Sequence, residues 1–468
     1  MKSLKQNILG HYLTSKHLWC TCLMFLLLGN GCKKFVTVDN VPDNILSSKV
    51  YNSLESANSG INGIYRTARD KVVSQTTLSL TIQTGMYADE FYNTTPVLYL
   101  DQYRDNNLLP NATDWSGFYS TIYGCNAAIE GLSGPSSILD KMKQQFIGEA
   151  KFLRALSYFY LVNLFGDVPL ITSSNIELSE SASRSSTDAI YNLILDDLND
   201  ALNKVSSDYS ISSGDRVRAN KATVQALLAR VYLYQKNYEK AESLSNAIIE
   251  SGAYRLVDIK SLLYAKNNSE AIFQFDNTDS DTNQDAVGFI FSLPPSFLIT
   301  ESLSNVFEPG DQRKVNWFKS FDNEGKTYFI PNKFTSTTPG ASELNTPFRL
   351  GEQYLIRAEA RIQLGRVNDG IHDLNILRTR ASQLPPNNLI GLPDGLTKGD
   401  ALLAVERERR IELSCDLGHR FFDLKRTGRI NAVMALEKPN NWKSTASLYP
   451  IPLADILRNS NLKQNPGY

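Results

Sequence analysis

The sequence predicts a mainly α protein, a tetratricopeptide-like helical-repeat scaffold interrupted by a loop-rich insertion. Three observations lead there. In Gly148–Leu170, GEAKFLRALSYFYLVNLFGDVPL, the residues Ala150, Leu153, Ala155, Leu156, Phe159, Tyr160, Val162 and Leu164 recur at three- and four-residue steps and make a broad apolar helix face. Ala219–Ser251 has the outline of one helix-turn-helix repeat, and Tyr354–Arg380 is a weaker second copy. Between the copies, Ser269–Gly351 turns polar and rich in Gly, Pro and Thr, the composition of loops.

The chain begins with a leader. Lys2, Lys5 and Lys16 precede the apolar run Leu18–Leu28, which is followed by Gly29-Asn30-Gly31 and Cys32. A basic start, a run too short to span a bilayer and small residues at its end describe a secretory signal over residues 1–31. A cysteine directly after that site predicts a lipid anchor at Cys32, although Gly29 stands where a leucine is usual in such signals. Two or three acyl chains would hold the protein stably, because each buried CH₂ contributes about 0.8 kcal/mol. Lys33–Asp43 then reads as a polar tether.

Leu54–Ala68 has helical spacing at Leu54, Ala57, Ile61, Ile64 and Tyr65. Thr81–Asn111 is irregular and dense in Tyr, Asn, Asp and Thr. A helix resumes at Trp115, with Phe118, Tyr119, Ile122 and Ala127 on one side, and leads to the central stretch. There Lys151, Arg154 and Asn163 fill the narrow remaining face, and Phe165-Gly166-Asp167 with Pro169 ends the helix. Ser183–Ser186 offers an N-cap for Thr187–Val205. In the first repeat copy, Leu228, Ala229 and Tyr232 face Tyr238 and Ala241 across a Lys236-Asn237 turn; in the second, Ala358, Gly365, Gly370, Leu374 and Leu377 match. Two copies fall short of a free-standing solenoid, so other helices must cover their faces. Glu270–Phe275 is strand-like, the insertion carries Phe289, Phe291, Trp317, Phe318 and Tyr328, Pro385–Gly395 is a further loop, and helix returns over Lys398–Ser414.

A net charge of −1 gives no electrostatic case for nucleic acid. Once the leader is removed, Cys125 and Cys415 are the cysteines left besides Cys32, too few for a disulfide scaffold, and both read as small core residues in helical patterns. His372 and His419 are the histidines outside the leader, which argues against a histidine-built metal site. No nucleophile elbow, phosphate loop or HExxH pattern occurs. The charged run Glu406–Arg429 is read as a structural ion network, with Glu406 and Arg410, and Glu408 and Glu412 with their neighbouring arginines, pairing along the helix. Asp89-Glu90 point in different directions as neighbours, a poor start for the facing carboxylates of glycoside hydrolysis. Met86–Asn107 is the candidate binding segment: Tyr87, Tyr92 and Tyr103 offer ring faces, and Asp89, Arg104 and Asn107 offer polar groups.

Several stretches resemble one family. Lys151–Ala155 (KFLRA), Leu164–Pro169 (LFGDVP), Glu406–Leu413 (ERERRIEL), Gly418–Arg429 (GHRFFDLKRTGR), Leu448–Pro452 (LYPIP) and Gln464–Tyr468 (QNPGY) are similar to the signatures of SusD-like (RagB/SusD) nutrient-uptake lipoproteins, in the same order. The resemblance runs from Cys32 to Tyr468; Asp416-Leu417, where relatives commonly have Glu-Trp, departs from it at a packing position. It implies one SusD-like domain over 32–468, with helical repeats around 148–252 and 350–430 and loop-rich insertions around 81–111 and 269–350 forming the ligand surface. It further implies an outer-membrane lipoprotein facing the exterior of a Bacteroidetes-type cell, which captures oligosaccharide or peptide for a SusC-like TonB-dependent transporter, without catalysis, cofactor or metal. Phe289 and Trp317 are then further ligand candidates in the later insertion. A surface-anchored polysaccharide hydrolase and a periplasmic tetratricopeptide adaptor stand as alternatives.

Overall fold

Polar side chains set the starts of several helices, because each satisfies a backbone N–H that the first turn leaves without a partner. The computed structural model describes residues 50–74, 78–110, 115–277, 281–290, 295–382 and 388–468; the leader, Cys32, the tether and the Pro385-Pro386 pair lie outside them. Helix α1, Leu54–Ala68, is capped by Ser53, and α2, Leu80–Tyr87, by Ser79. Helices α3, Leu98–Arg104, α4, Ser116–Ser133, and α5, Asp140–Phe165, start without a side-chain cap. Helix α6, Thr187–Lys204, is capped by Ser186; α7, Lys221–Tyr234, by Asn220; and α8, Tyr238–Glu250, by Asn237. Helices α9, Leu350–Gln363, and α10, Val367–Ala381, are followed by α11, Lys398–Glu412, capped by Thr397, and by α12, His419–Arg426, and α13, Ile430–Glu437. No helix among the described residues is long and apolar enough to cross a membrane.

Helix α5 is the centre, with 19 of its 26 residues buried, so it is wrapped rather than laid on a surface. It packs on α1, α4 and α6. Gly148 permits the approach of α6, since a Cβ there would lie 2.8 Å from Val205. Of the polar strip on its remaining face, Lys151 and Asn163 are half-buried and Arg154 is buried: Arg154 donates to Asp197 of α6 at 2.8 and 2.7 Å and to Asn126 of α4 at 2.7 Å. In this helix the polar positions clamp its neighbours.

The two repeat copies stack on each other. Helix α8 packs on α9 although residues 251–349 intervene, and α10 and α11 complete the layer around a second small core of Leu355, Ile362, Ile371, Leu374, Leu377 and Val405. The strands are short. Strand β1, Phe91–Asn93, pairs antiparallel with β5, Phe297–Ile299; β2, Val168–Pro169, with β3, Arg184–Ser185; β4, Ala271–Phe273, with β8, Phe348–Arg349; and β6, Phe318–Asn323, with β7, Lys326–Pro331. The β6–β7 hairpin turns at Glu324-Gly325, both at positive φ as tight hairpin turns require.

Two stretches are more ordered than their composition predicts. All eight residues of α2 are buried, so it has no polar face to create the periodicity by which helices are recognised. The 269–350 insertion contains the hairpin and the short helices Gln284–Phe289, Glu301–Ser304 and Arg313–Asn316. Cys125 lies on α4, but Cys415 follows α11 at φ 56°, outside any helix; both are buried free thiols.

Candidate functional site

Five of the eight candidate binding residues lie in the core, and this corrects the reading of Met86–Asn107 as a ligand-facing segment. Tyr87 ends α2 inside an aromatic cluster, with ring centroids 4.7 Å from Tyr449, 5.5 Å from Phe421 and 6.4 Å from Tyr103, and its hydroxyl is 3.2 Å from that of Tyr468. Tyr103 donates to Gln83 at 3.2 Å. Phe289 packs edge-on against Phe91 at 5.2 Å. Trp317 lies beneath three cations, with Lys333 Nζ 4.7 Å, Arg380 5.9 Å and Arg349 6.0 Å from its ring. A ring that anchors a loop and a ring that faces a sugar come from the same residue types, which is why composition could not separate them.

Asp89 is also buried. Its carboxylate takes Arg410 at 2.7 Å and Arg420 at 2.9 and 3.1 Å, and although burial works against ionisation, the two guanidiniums hold it below the usual carboxylate range. Glu90 accepts the Cys415 N–H at 3.0 Å, and burial pushes its carboxyl up to about 7. Both carboxyls are thus bonded to the scaffold.

Three candidates remain accessible. Tyr92, half-buried, sits between the inward-facing Phe91 and Asn93 on β1, so strand alternation turns it to the other side. There it comes within electrostatic reach of Tyr328; partial burial, then Tyr328, raises its hydroxyl. Arg104 ends α3, held by Asp105 at 2.8 Å and Asp101 at 2.9 Å, and Asn107 is exposed just beyond. Arg104 lies against Asn93, so Tyr92 and Arg104 flank β1 on opposite sides rather than forming one cluster.

The sequence reading did not select Phe321 as a site residue. On the hairpin it stacks on its cross-strand partner Tyr328 with centroids 5.6 Å apart and planes at 28°, and Lys326 Nζ lies 5.3 Å from the Tyr328 ring. Both rings are partly exposed. The signal was their equal spacing about the Glu324-Gly325 turn, which makes them a cross-strand pair. Tyr99 on α3 was also passed over; it is 44% exposed, while Tyr103 one turn later is buried.

The Glu406–Arg429 run is a structural network, but the pairs of its first helix, α11, do not run along that helix, whereas Asp423 and Arg426 pair along α12 at 2.7 Å. Among the described residues no ion pair joins two members of Glu406–Glu412. Glu408 and Glu412 reach Arg313 at 2.5 and 3.0 Å, Glu412 also takes Arg349 and Arg380 at 2.5 Å each, and Arg409 reaches Asp423 at 2.7 Å. Glu406 takes Arg420 and Arg429 at 3.1 Å each. Glu408, Arg409 and Glu412 point into the protein, where partners from other elements are closer than solvent-facing neighbours.

Comparison with known proteins fits this arrangement. Residues 37–233 match the SusD-like family described as starch-binding and associating with the outer membrane, and residues 318–468 match the SusD family. The chain is a member of the SusD-like family. It is 26% identical over 430 residues to SusD-like protein P38 of Formosa agariphila, covering 78% of this chain and 82% of that one, and 25% identical over 423 residues to the starch-binding protein SusD of Bacteroides thetaiotaomicron, covering 68% and 72%. The SusD-like fold is shared with a SusD superfamily protein from Bacteroides vulgatus (TM-score 0.78, 19% identity, 89% of this chain and all of that one) and with a laminarin-binding SusD-like protein (TM-score 0.73, 22% identity, the same coverage). In this SusD-like chain the Gly418–Arg429 signature is α12 and its exit: Arg420 grips Asp89, and Arg426 grips Glu359 at 2.5 and 2.7 Å. At the departure from the family pattern, Asp416 meets Lys333 and Arg349 at 3.3 Å each, and Leu417 donates its N–H to Thr81.

Proposed function

We propose that this SusD-like protein is a cell-surface lipoprotein, anchored through Cys32, that captures oligosaccharide and hands it uncut to a SusC-like TonB-dependent transporter. The observation that carries the binding reading is the partly exposed Phe321–Tyr328 stack with Tyr92 beside it. Aromatic planes of this kind take the C–H faces of sugar rings, while Arg104 and Asn107 on the other side of β1 offer donors and acceptors for hydroxyls. The starch-binding and laminarin-binding relatives support a glucan as ligand. Peptide remains the second ligand class, through the same aromatic and polar groups.

The test is titration calorimetry of the mature chain with maltooligosaccharides and laminarin oligosaccharides, alongside Tyr328→Ala and Tyr92→Ala. Loss of one stacked face, about 1 kcal/mol, weakens binding roughly five-fold. Affinity unchanged in both variants would reject this surface. New reducing ends from the incubated glycan would reject delivery without cleavage, and recovery from solubilised membranes without a large β-barrel protein would reject the transporter partnership.

A further inference from the structure

A cavity of about 300 Å³ opens where α7, α8, α9, α11 and α12 converge, away from the residues of the proposed glycan face. Its walls carry four cationic side chains, Lys236, Arg409, Arg426 and Arg429, against three carboxylates, Glu359, Glu406 and Asp423. The carboxylates are already shared out. Glu359 takes both terminal nitrogens of Arg426, Asp423 divides between Arg409 and Arg426, and Glu406 bridges Arg429 and Arg420. What is left over is positive. Arg409 is 2% exposed and, among the described residues, both of its buried terminal nitrogens lack a hydrogen-bond partner and Lys236 at the rim makes no ion pair. A buried guanidinium with both terminal nitrogens free is costly, and a planar carboxylate is the group that satisfies its fork. Tyr238, Gln363 and Thr427 complete the wall with an aromatic ring, an amide and a hydroxyl, the groups that meet a sugar's C–H face and hydroxyls.

We propose that this cavity between the repeat helices binds a carboxylate-bearing saccharide of uronic-acid type, with Arg409 and Lys236 taking the carboxylate and Tyr238 stacking on the ring. The site is independent of Tyr92, Phe321 and Tyr328, so failure of the glucan reading leaves it standing.

The test is titration of the mature chain with glucuronate, glucose and acetate at matched ionic strength. Glucuronate is expected to bind at least ten-fold tighter than either glucose or acetate. The exposed Lys236→Glu and Tyr238→Ala variants each lose that preference, with the thermal unfolding midpoint of Lys236→Glu unchanged, while Tyr328→Ala keeps it. Arg409→Lys, which retains the charge toward Asp423 but loses the planar fork, also weakens glucuronate at least ten-fold. Glucuronate binding no tighter than glucose or acetate overturns the proposal, and so does a preference that survives in Lys236→Glu or disappears in Tyr328→Ala.

Discussion

Asp89 and Arg420, 331 positions apart, meet in paired hydrogen bonds of 2.9 and 3.1 Å inside the protein. Arg410 reaches the same carboxylate at 2.7 Å, so one acidic residue bridges two buried guanidiniums and joins the end of α2 to α11 and α12. Asp89→Ala strips Arg410 of its carboxylate and leaves Arg420 with Glu406 alone. Breaking a buried ion pair by removing one partner costs about 3–5 kcal/mol. The expected outcome is a large drop in the denaturation midpoint of the folded chain; a loss of ligand affinity with stability intact would instead return Asp89 to the binding surface.

Tyr87 and Tyr92 lie five residues apart in sequence and give opposite predictions. Truncating the buried Tyr87 to alanine removes a ring packed among Phe421, Tyr103 and Tyr449, at a cost of about 3–5 kcal/mol. Tyr92→Ala removes a half-buried ring and is expected to leave the unfolding midpoint within a few degrees of wild type while weakening glycan binding. Denaturation and titration of the two variants side by side check the assignment, and equal stability loss in both would contradict it.

The difference between these two tyrosines marks how far the sequence could be read. Helix α1 was legible over its whole length because one face is buried and the other wet, which writes a 3.6-residue period into the chain. Helix α2 was not, because burial on every side removes the period. The two repeat copies were recognisable, whereas their stacking was not, because the contact between α8 and α9 joins segments separated by residues 251–349. At the candidate site the residue types were right and their direction was hidden: whether Tyr87 or Tyr92 faces outward depends on α2 ending in the aromatic cluster and β1 pairing with Phe297–Ile299.

Glu90 predicts a pH dependence. Burial raises its carboxyl from 4.5 to about 7, so the folded protein holds this proton more tightly than the unfolded chain does. The associated stabilisation is full below about pH 4.5 and is lost as pH rises through about 7. Glu90→Gln keeps an oxygen for the Cys415 N–H and removes the titration. Relative to this variant, the wild-type protein is expected to lose stability between about pH 4.5 and 7. Parallel denaturation curves across that range check this, and a constant difference between the two proteins would refute it.

Gly370 tests the packing of the second repeat. A Cβ there would lie 2.6 Å from the carbonyl oxygen of Ala358 and 2.5 Å from Ile362, so α10 approaches α9 only because the side chain is missing. Alanine gains about 1 kcal/mol of helix propensity. Overpacking against a backbone oxygen costs about 1–3 kcal/mol, so the net expectation for Gly370→Ala is destabilisation. A stabilised variant in chemical denaturation would mean the helices separate easily.

The most deeply buried ion pair between the two repeat copies is Arg230 on α7 with Glu352 on α9, two hydrogen bonds of 2.7 Å between side chains with almost no solvent contact. Arg230 also donates to the Pro347 carbonyl at 2.6 Å and lies 4.4 Å over the Phe348 ring, so it is held even apart from its carboxylate. Removing Glu352 alone strands a buried cation; removing both charges strands only the Pro347 carbonyl. Glu352→Leu is therefore expected to cost about 3–5 kcal/mol, while the Arg230→Met, Glu352→Leu double variant falls well short of the summed single losses, because well-packed apolar residues replace buried ion pairs at little cost. A double-mutant cycle measured by denaturation reads the coupling directly. Additive losses would mean that the two copies are joined by their other contacts, such as Arg361 with Glu242, and that this ion pair merely accompanies them.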